Sequence, residues 1–382
     1  NTFATNPDLR PERTNSSELG IDLRFAKGRF GADLAVYDMT TEDQIIYLPV
    51  ATSTGRTSRL ANGGAIRNRG IELQLFGDIV KNDKLTWNSR INLGANRAVV
   101  TELPDGVSGG YPIVASMFPN DGGTVGLEYV AVEGELLGQL KGLTFMRDED
   151  DNIIHENGLP MVSEEKSTIG SYQPKARIGW MNSFSVGNWQ ANILFDGQIG
   201  GLIYSRSHTL HNTAGNLVND DDPHLDMNAI DGRVVYDVTY DGNGEPVYNL
   251  DQAGGVVGPG VMYDASGNLV ANTVSVPIRD YYYKYYGNVW SRDNIEPSTF
   301  DASYLKLRQL SIAYTVPADK LANTGLKGLT VSFVGRNLLL FTKVPTIDPE
   351  TYSIRNGLFV NGYESTSMPS LRSFGFSINA NL

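Results

Sequence analysis

Apolar and polar residues alternate one by one along much of the chain. Leu19, Ile21, Leu23 and Phe25 are interleaved with Gly20, Asp22 and Arg24, and after Ala26-Lys27-Gly28-Arg29 the pattern resumes with Phe30, Ala32, Leu34 and Val36. The same alternation runs through Ile71–Leu75, Leu85–Ala95, Ala176–Phe184, Trp189–Phe195, Leu329–Phe333 and Phe374–Leu382. Period two is the signature of strands with one apolar and one polar face, and helical periodicity is nearly absent. The runs add up to about nine strands, several longer than the ~5–6 residues usual in globular proteins. In Tyr304–Val316 the apolar set changes parity, from Leu305 and Leu307 to Leu310, Ile312 and Tyr314. A β-bulge near Arg308-Gln309 is expected, because one extra residue inverts the alternation.

The connections alternate as well. Short turns are expected at about 26–29, 80–84 and 186–188, with a medium one at 317–328; long loops fall at about 48–66, 98–172, 202–302 and 343–369. Short connections at one end and long ones at the other describe an outer-membrane barrel, with its periplasmic turns and extracellular loops. Asp241-Gly242-Asn243-Gly244 and Asp264-Ala265-Ser266-Gly267-Asn268 mark hairpin turns inside a long loop. Phe25, Phe30, Trp87, Phe184, Trp189 and Tyr314 share the apolar face and lie near short turns. At one height they would make an interfacial aromatic girdle.

The opposite face carries Glu18, Asp22, Arg24, Asp33, Glu72, Arg90, Lys175, Arg177 and Asp196. Turning an Arg or Lys to mid-bilayer lipid costs about 2–4 kcal/mol, and a one-residue slip of register would turn them all. That face must be wet or packed on something polar. An open edge in lipid leaves backbone groups unpaired, and single-chain bacterial barrels have even strand numbers. About nine strands therefore read as the C-terminal portion of a larger all-β transmembrane antiparallel barrel. Its remaining strands come from outside residues 1–382.

Composition narrows the classes. The 382 residues include no Cys, 41 Gly and 19 Tyr, and the net charge is −12. Disulfides, Cys-ligated metals and thiol nucleophiles are excluded. The acidic balance argues against nucleic acid as a partner. A mean hydropathy of −0.24 is compatible with membrane strands, since only alternate residues need be apolar. No apolar run approaches the ~18 residues of a transmembrane helix, and Asn1–Thr5 does not look like a signal peptide.

Several segments resemble a known family. Asn6-Pro7-Asp8-Leu9-Arg10-Pro11-Glu12, followed by Glu18-Leu19-Gly20, is similar to a signature late in TonB-dependent transporters. Ala302–Leu310 with Ala313-Tyr314-Thr315-Val316-Pro317, Gly335-Arg336-Asn337-Leu338 and Arg372-Ser373-Phe374-Gly375-Phe376 resemble the late strands of the SusC/RagA branch. The resemblance covers residues 6 to 382. It implies a plugged barrel of about 22 strands, of which these are the last nine or so. An N-terminal plug, a TonB box and the earlier strands would lie outside this chain. It also implies location in the Gram-negative outer membrane, contact with outer-membrane lipid, energy supplied through TonB, and a SusD-like surface lipoprotein as lid. The ligand would be an oligosaccharide or a peptide. Leu382 stands where such barrels commonly end in Phe.

No HExxH, P-loop or GxSxG motif is present, and neither enzymatic activity, catalytic residues nor a cofactor is expected. His208, His211, Asp220-Asp221-Asp222 and His224 could form a metal cluster, against the simpler reading of a solvated loop; no metal site is assigned. Asp148-Glu149-Asp150-Asp151-Asn152 lacks the Gly and Glu of a calcium loop and reads as a hairpin tip. The densest aromatic run is Tyr281, Tyr282, Tyr283, Tyr285 and Tyr286, with Trp290 beyond. These six are the candidate ligand-binding residues, as stacking platforms for sugars or peptide side chains. The alternative is packing of the loop. Two other functions share the strand pattern, a passive porin and a secreted β-rich glycan-binding module.

Overall fold

In a computed structural model the alternating segments pair into one nine-stranded antiparallel sheet, with strands adjacent in the order of the chain. The structure describes residues 3–4, 6–56, 58–107, 109–114, 126–214, 237–240, 242–243, 246–249, 255–287, 294–322, 324–345, 347–355 and 358–382. The strands are β1 (Arg13–Phe25), β2 (Phe30–Glu42), β3 (Ala65–Lys81), β4 (Thr86–Glu102), β5 (Ala176–Val186), β6 (Trp189–Ile199), β7 (Tyr304–Thr315), β8 (Gly328–Thr342) and β9 (Ser373–Asn381). The long loops carry their own short strands and two eight-residue helices, α1 (Arg206–Thr213) and α2 (Ile278–Tyr285).

Register makes the sheet two-sided. One cross-strand row reads Leu23, Ala32, Leu75, Ile91, Trp180, Phe195, Leu307, Leu339. The adjacent row, on the other face, reads Asp22, Asp33, Gln74, Asn92, Gly179, Asp196, Lys306. The expected bulge is there: Leu307 pairs with Phe195 and Gln309 with Leu194, leaving Arg308 over. That one residue returns Leu310, Ile312 and Tyr314 to the apolar face. Opposite it, β8 bends at Asn337, which sits at a φ of +51°.

The six turn-end aromatics lie on the apolar face as three directly paired couples: Phe25 with Phe30, Trp87 with Phe184, and Trp189 with Tyr314. The Trp87 and Phe184 rings stack at 5.6 Å, and those of Trp189 and Tyr314 lie 4.7 Å apart. This face also holds two polar residues that the alternation did not flag, Ser89 and Asn182. Trp180 Nε1 donates to Ser89 Oγ at 2.9 Å and Trp87 Nε1 to Asn182 Oδ1 at 3.0 Å. The indoles thus cover the polar atoms with apolar ring.

Between β2 and β3 the register is fixed by rings lying over glycines: Phe30 opposite Gly77, Phe76 opposite Gly31, Tyr37 opposite Gly70. A Cβ on Gly70 would come 2.2 Å from Tyr37 Cζ, so only glycine fits beneath that ring.

Strands outrun their apolar pattern at the long-loop end. β1 begins at Arg13, six residues before Leu19, and its whole length is exposed. Backbone pairing continues there although both faces are polar, so alternation gives no signal. β1 and β9 are the sheet edges, and neither pairs with the other. The fold is an antiparallel β-barrel in part, with two long edges open.

Candidate functional site

The polar face forms a hollow of about 650 Å³ across β1 to β6. Alternation turns its charged and amide lining residues inward, and glycines Gly20, Gly94 and Gly179 leave it open. Five carboxylates line it (Glu18, Asp22, Asp33, Glu72 and Asp196) against one guanidinium, Arg177. Gln74 donates to Asn92 Oδ1 at 2.8 Å across the floor. Toward the short turns, Arg24 pairs with Asp33. Arg24 and Arg90 flank the ring of Phe76 at 4.9 and 5.5 Å, a cation–π arrangement that suits a polar wall. Lys175, expected on this face, lies just beyond the start of β5.

At the bulge a charged cluster ties a loop to the wall. Lys306, only 2% exposed, donates to both oxygens of Asp348 at 2.6 and 2.7 Å and to Glu350. Arg308 reaches Asp196 and takes both Glu350 oxygens at 2.7 Å. Tyr304 Oη donates to Glu350 Oε1 at 2.8 Å. Burial opposes ionisation of Glu350, but the hydrogen bonds from Lys306, Arg308 and Tyr304 outweigh it and hold its carboxyl below the usual value. The bulge residue is thus functional in the architecture: turned off the alternation, Arg308 bridges strand and loop.

The long loops fold together over the wall's upper end. One core joins Leu127, Tyr129, Leu140, Tyr204, Ile295, Val360 and Tyr363, drawn from three separate connections. Burial pushes the hydroxyls of Tyr129 and Tyr204 up, Tyr129 well above the usual value. Ser205 caps α1, accepting from His208 N at 3.1 Å. Glu364, fully buried, accepts from Ser205 Oγ at 2.8 Å, Ser207 Oγ at 2.7 Å and Ser367 N at 2.8 Å. The last loop is thereby clamped to α1.

The tyrosine run is α2, a helix that the sequence reading did not anticipate. Tyr281 and Tyr285 stack at 5.7 Å, Tyr282 and Tyr286 meet edge to face at 5.5 Å, and Phe145 packs on Tyr285 at 4.8 Å. Tyr281, Tyr282, Tyr285 and Tyr286 are buried, and Tyr283 is half-buried. The four buried rings present protein-covered faces rather than open platforms, because i,i+4 spacing lays them along one side of a helix packed on Phe145, Ile153, Leu159 and Val276. The signals were present: Pro277 just before, Asp280 in the first turn and Lys284 in the last. Trp290 lies outside the described residues.

His155 stacks on Tyr281 at 6.0 Å, with Nε2 3.2 Å from Tyr281 Oη and Nδ1 3.1 Å from Ile153 O. Burial lowers its pKa below the usual 6.5. His208 and His211 sit on α1; His208 is buried with Nδ1 on Ser298 Oγ at 3.1 Å and Nε2 against Asn212 Nδ2 at 3.1 Å. His211 is exposed, and Asp220-Asp221-Asp222 and His224 lie outside the described residues. No metal-ligand cluster occurs among the described residues. Asp148 and Asp264 each close a hairpin tip, accepting from the backbone N–H two and four residues on at 2.8–3.0 Å.

A two-faced partial barrel with a charged inner wall and a folded loop cap has known counterparts. Residues 1–239 match the family model described as TonB dependent receptor-like, beta-barrel. The chain belongs to this TonB-dependent receptor β-barrel family. TonB-dependent receptor P26 of Formosa agariphila is 24% identical over 98% of this chain, which spans 35% of that protein. TonB-dependent receptor SusC of Bacteroides thetaiotaomicron is 25% identical over 29% of this chain and 11% of its own length. A structure of the RagAB peptide transporter matches over 98% of this chain and 36% of that one, with a TM-score of 0.61 and 17% identity. At that identity the likeness shows the fold. The TonB-dependent receptor family consists of outer-membrane transporters rather than enzymes. The SusC relative is in keeping with the SusC/RagA resemblance read from the sequence. The chain covers about a third of the length of the relatives that match it throughout.

Proposed function

We propose that this chain forms part of the wall and the loop cap of an active, TonB-dependent importer in the outer membrane. It would take up oligosaccharides or peptides with a SusD-like lipoprotein as lid. The plug, the TonB box and the earlier strands would lie outside this chain. The observation that carries this reading is the two-sided sheet with open edges. From Trp87 to Ala95 the apolar face of β4 runs eight residue steps, about 27 Å at ~3.4 Å each. At a tilt of about 40° that is roughly 21 Å of height, close to the ~25 Å apolar band of outer-membrane barrels. The polar face then borders the aqueous path.

The chain's residues have separable tasks. Asp22, Asp33, Glu72 and Asp196 keep the wall hydrated and charged. Lys306 and Arg308 anchor the loop at 347–352 to the wall. The cap cores hold the loop surfaces that meet ligand and lid. Within the tyrosine run, direct ligand contact rests on Tyr283; Tyr281, Tyr282, Tyr285 and Tyr286 shape the loop around it. The SusC-like motifs favour active import over passive diffusion through a porin.

The test is uptake by cells carrying the full-length protein, with and without TonB and the neighbouring lipoprotein. Growth on the transported oligomer should require both. Diffusive uptake unaffected by loss of TonB would establish the porin instead, and solubility without detergent would overturn both membrane readings.

A further inference from the structure

The apolar face ends abruptly at the long-loop end of β2, β3 and β4. Its last apolar row is Val36, Ile71, Ala95. The next row on the same face is Asp38, Arg69, Arg97, and the one beyond brings in Arg67. Carboxylates return a row further out, at Glu42 and Glu102. A chain with a net charge of −12 thus places three arginines and one aspartate in a narrow stripe directly above its apolar band.

The arrangement is ordered. Arg67 Nε donates to Asp38 Oδ1 at 2.9 Å and its Nη2 to Oδ2, while Arg69 Nε reaches Oδ2 at 3.0 Å. Asp38 thereby fixes two guanidiniums side by side while more than two-fifths of each side chain stays exposed. Arg97 is exposed and forms no ion pair among the described residues. The stripe keeps two net positive charges.

We propose that Arg67, Arg69 and Arg97 bind the phosphate of a lipid headgroup in the outer leaflet. The proposal rests on the reading that the apolar face meets lipid. A molecule seated here must be apolar below the Val36–Ile71–Ala95 row and anionic one or two residue steps above it, which describes a phosphorylated lipid. Guanidinium forks match phosphate oxygens bidentately, and a preset pair loses little freedom on binding. A soluble anion would not use the apolar rows beneath, and a protein partner would have to displace lipid from them.

The experiment uses the full-length protein purified in non-ionic detergent, with lipid A and enzymatically dephosphorylated lipid A as probes and native mass spectrometry as readout. Binding of the phosphorylated form should be retained and should fall with added salt. Replacing the three arginines by Gln should weaken it about a hundredfold, near fivefold for each charge removed. Folding is checked by heat-modifiable gel mobility, and a variant with Lys at all three positions covers the case in which the Gln variant does not fold. The Lys variant should bind measurably more weakly than wild type, because the fork is lost and the charge kept. Equal binding of the two lipids, or wild-type affinity in a folded Gln or Lys variant, overturns the proposal. Uptake is scored separately: TonB-independent uptake with intact lipid binding refutes the importer and leaves the lipid site standing.

Discussion

Replacing Lys306 by Met should release the loop at 347–352 from the wall. Lys306 is enclosed, its side chain 3% exposed, and it neutralises Asp348, 9% exposed, together with Glu350, 35% exposed. Removing one partner of a buried ion pair costs about 3–5 kcal/mol, because the other charge stays behind. Glu350 retains Arg308 and some water, so the lower end applies. About 3 kcal/mol makes the detached loop roughly 150-fold more populated, at a factor of ten per ~1.4 kcal/mol. Hydrogen exchange of the backbone amides in 347–352, followed by mass spectrometry on the full-length protein in detergent, reads that ratio directly. Adding Asp348→Asn to Lys306→Met should recover part of the loss, since the stranded carboxylate is then neutral. The pH dependence has a definite sign. The folded pKa of Glu350 is depressed, so its contribution is present above the usual value of 4.5 and is lost as pH falls through the lowered value. Unchanged exchange in Lys306→Met, or a double variant worse than the sum of its parts, would refute this account of the tether.

Three further outcomes are expected. Gly70→Val should displace the Tyr37 ring and lower the temperature of heat-modifiable unfolding, at an overpacking cost of about 1–3 kcal/mol; adding Tyr37→Ala should restore it, and failure of that rescue would remove the ring-over-glycine argument. Trp87→Phe keeps the ring but strands Asn182 Oδ1 in an apolar setting, at about 1–3 kcal/mol; in the Asn182→Leu background the same change should be nearly neutral, as read by the same mobility assay. The lowered pKa of His155 means that the packing of residues 153–161 on α2 is complete above about pH 6.5 and weakens as pH falls through the depressed folded value. Proteolysis of that segment should rise with acidification in the wild type and stay level in His155→Gln.

Parts of this architecture were legible because water and lipid impose a strict period. Leu19 to Phe25 and Leu305 to Tyr314 had to alternate, and the parity change at Arg308 could only be a bulge. The turn-end aromatics were visible for the same reason: each had to share a face with its strand's apolar set. The α2 tyrosines were not legible as a packed core, since eight residues give barely two helical turns and a hydrophobic-aromatic run suits platform and core equally. Ser89 and Asn182 broke the alternation without a visible remedy, because their indole partners are set by cross-strand neighbours rather than by sequence distance.

The residues alone determined that there are two faces, where the short turns lie and which side chains face water, since a one-residue slip would put every charge on the apolar side. Tertiary structure alone decided what depends on segments far apart in the chain. It brought Asp348 and Glu350 onto Lys306, closed Ser205 and Ser207 around Glu364, and gathered three connections into one cap. It also aligned Arg67, Arg69 and Arg97 just above the last apolar row, because the height of a residue on a sheet is fixed by register with its neighbours and not by its place in the sequence.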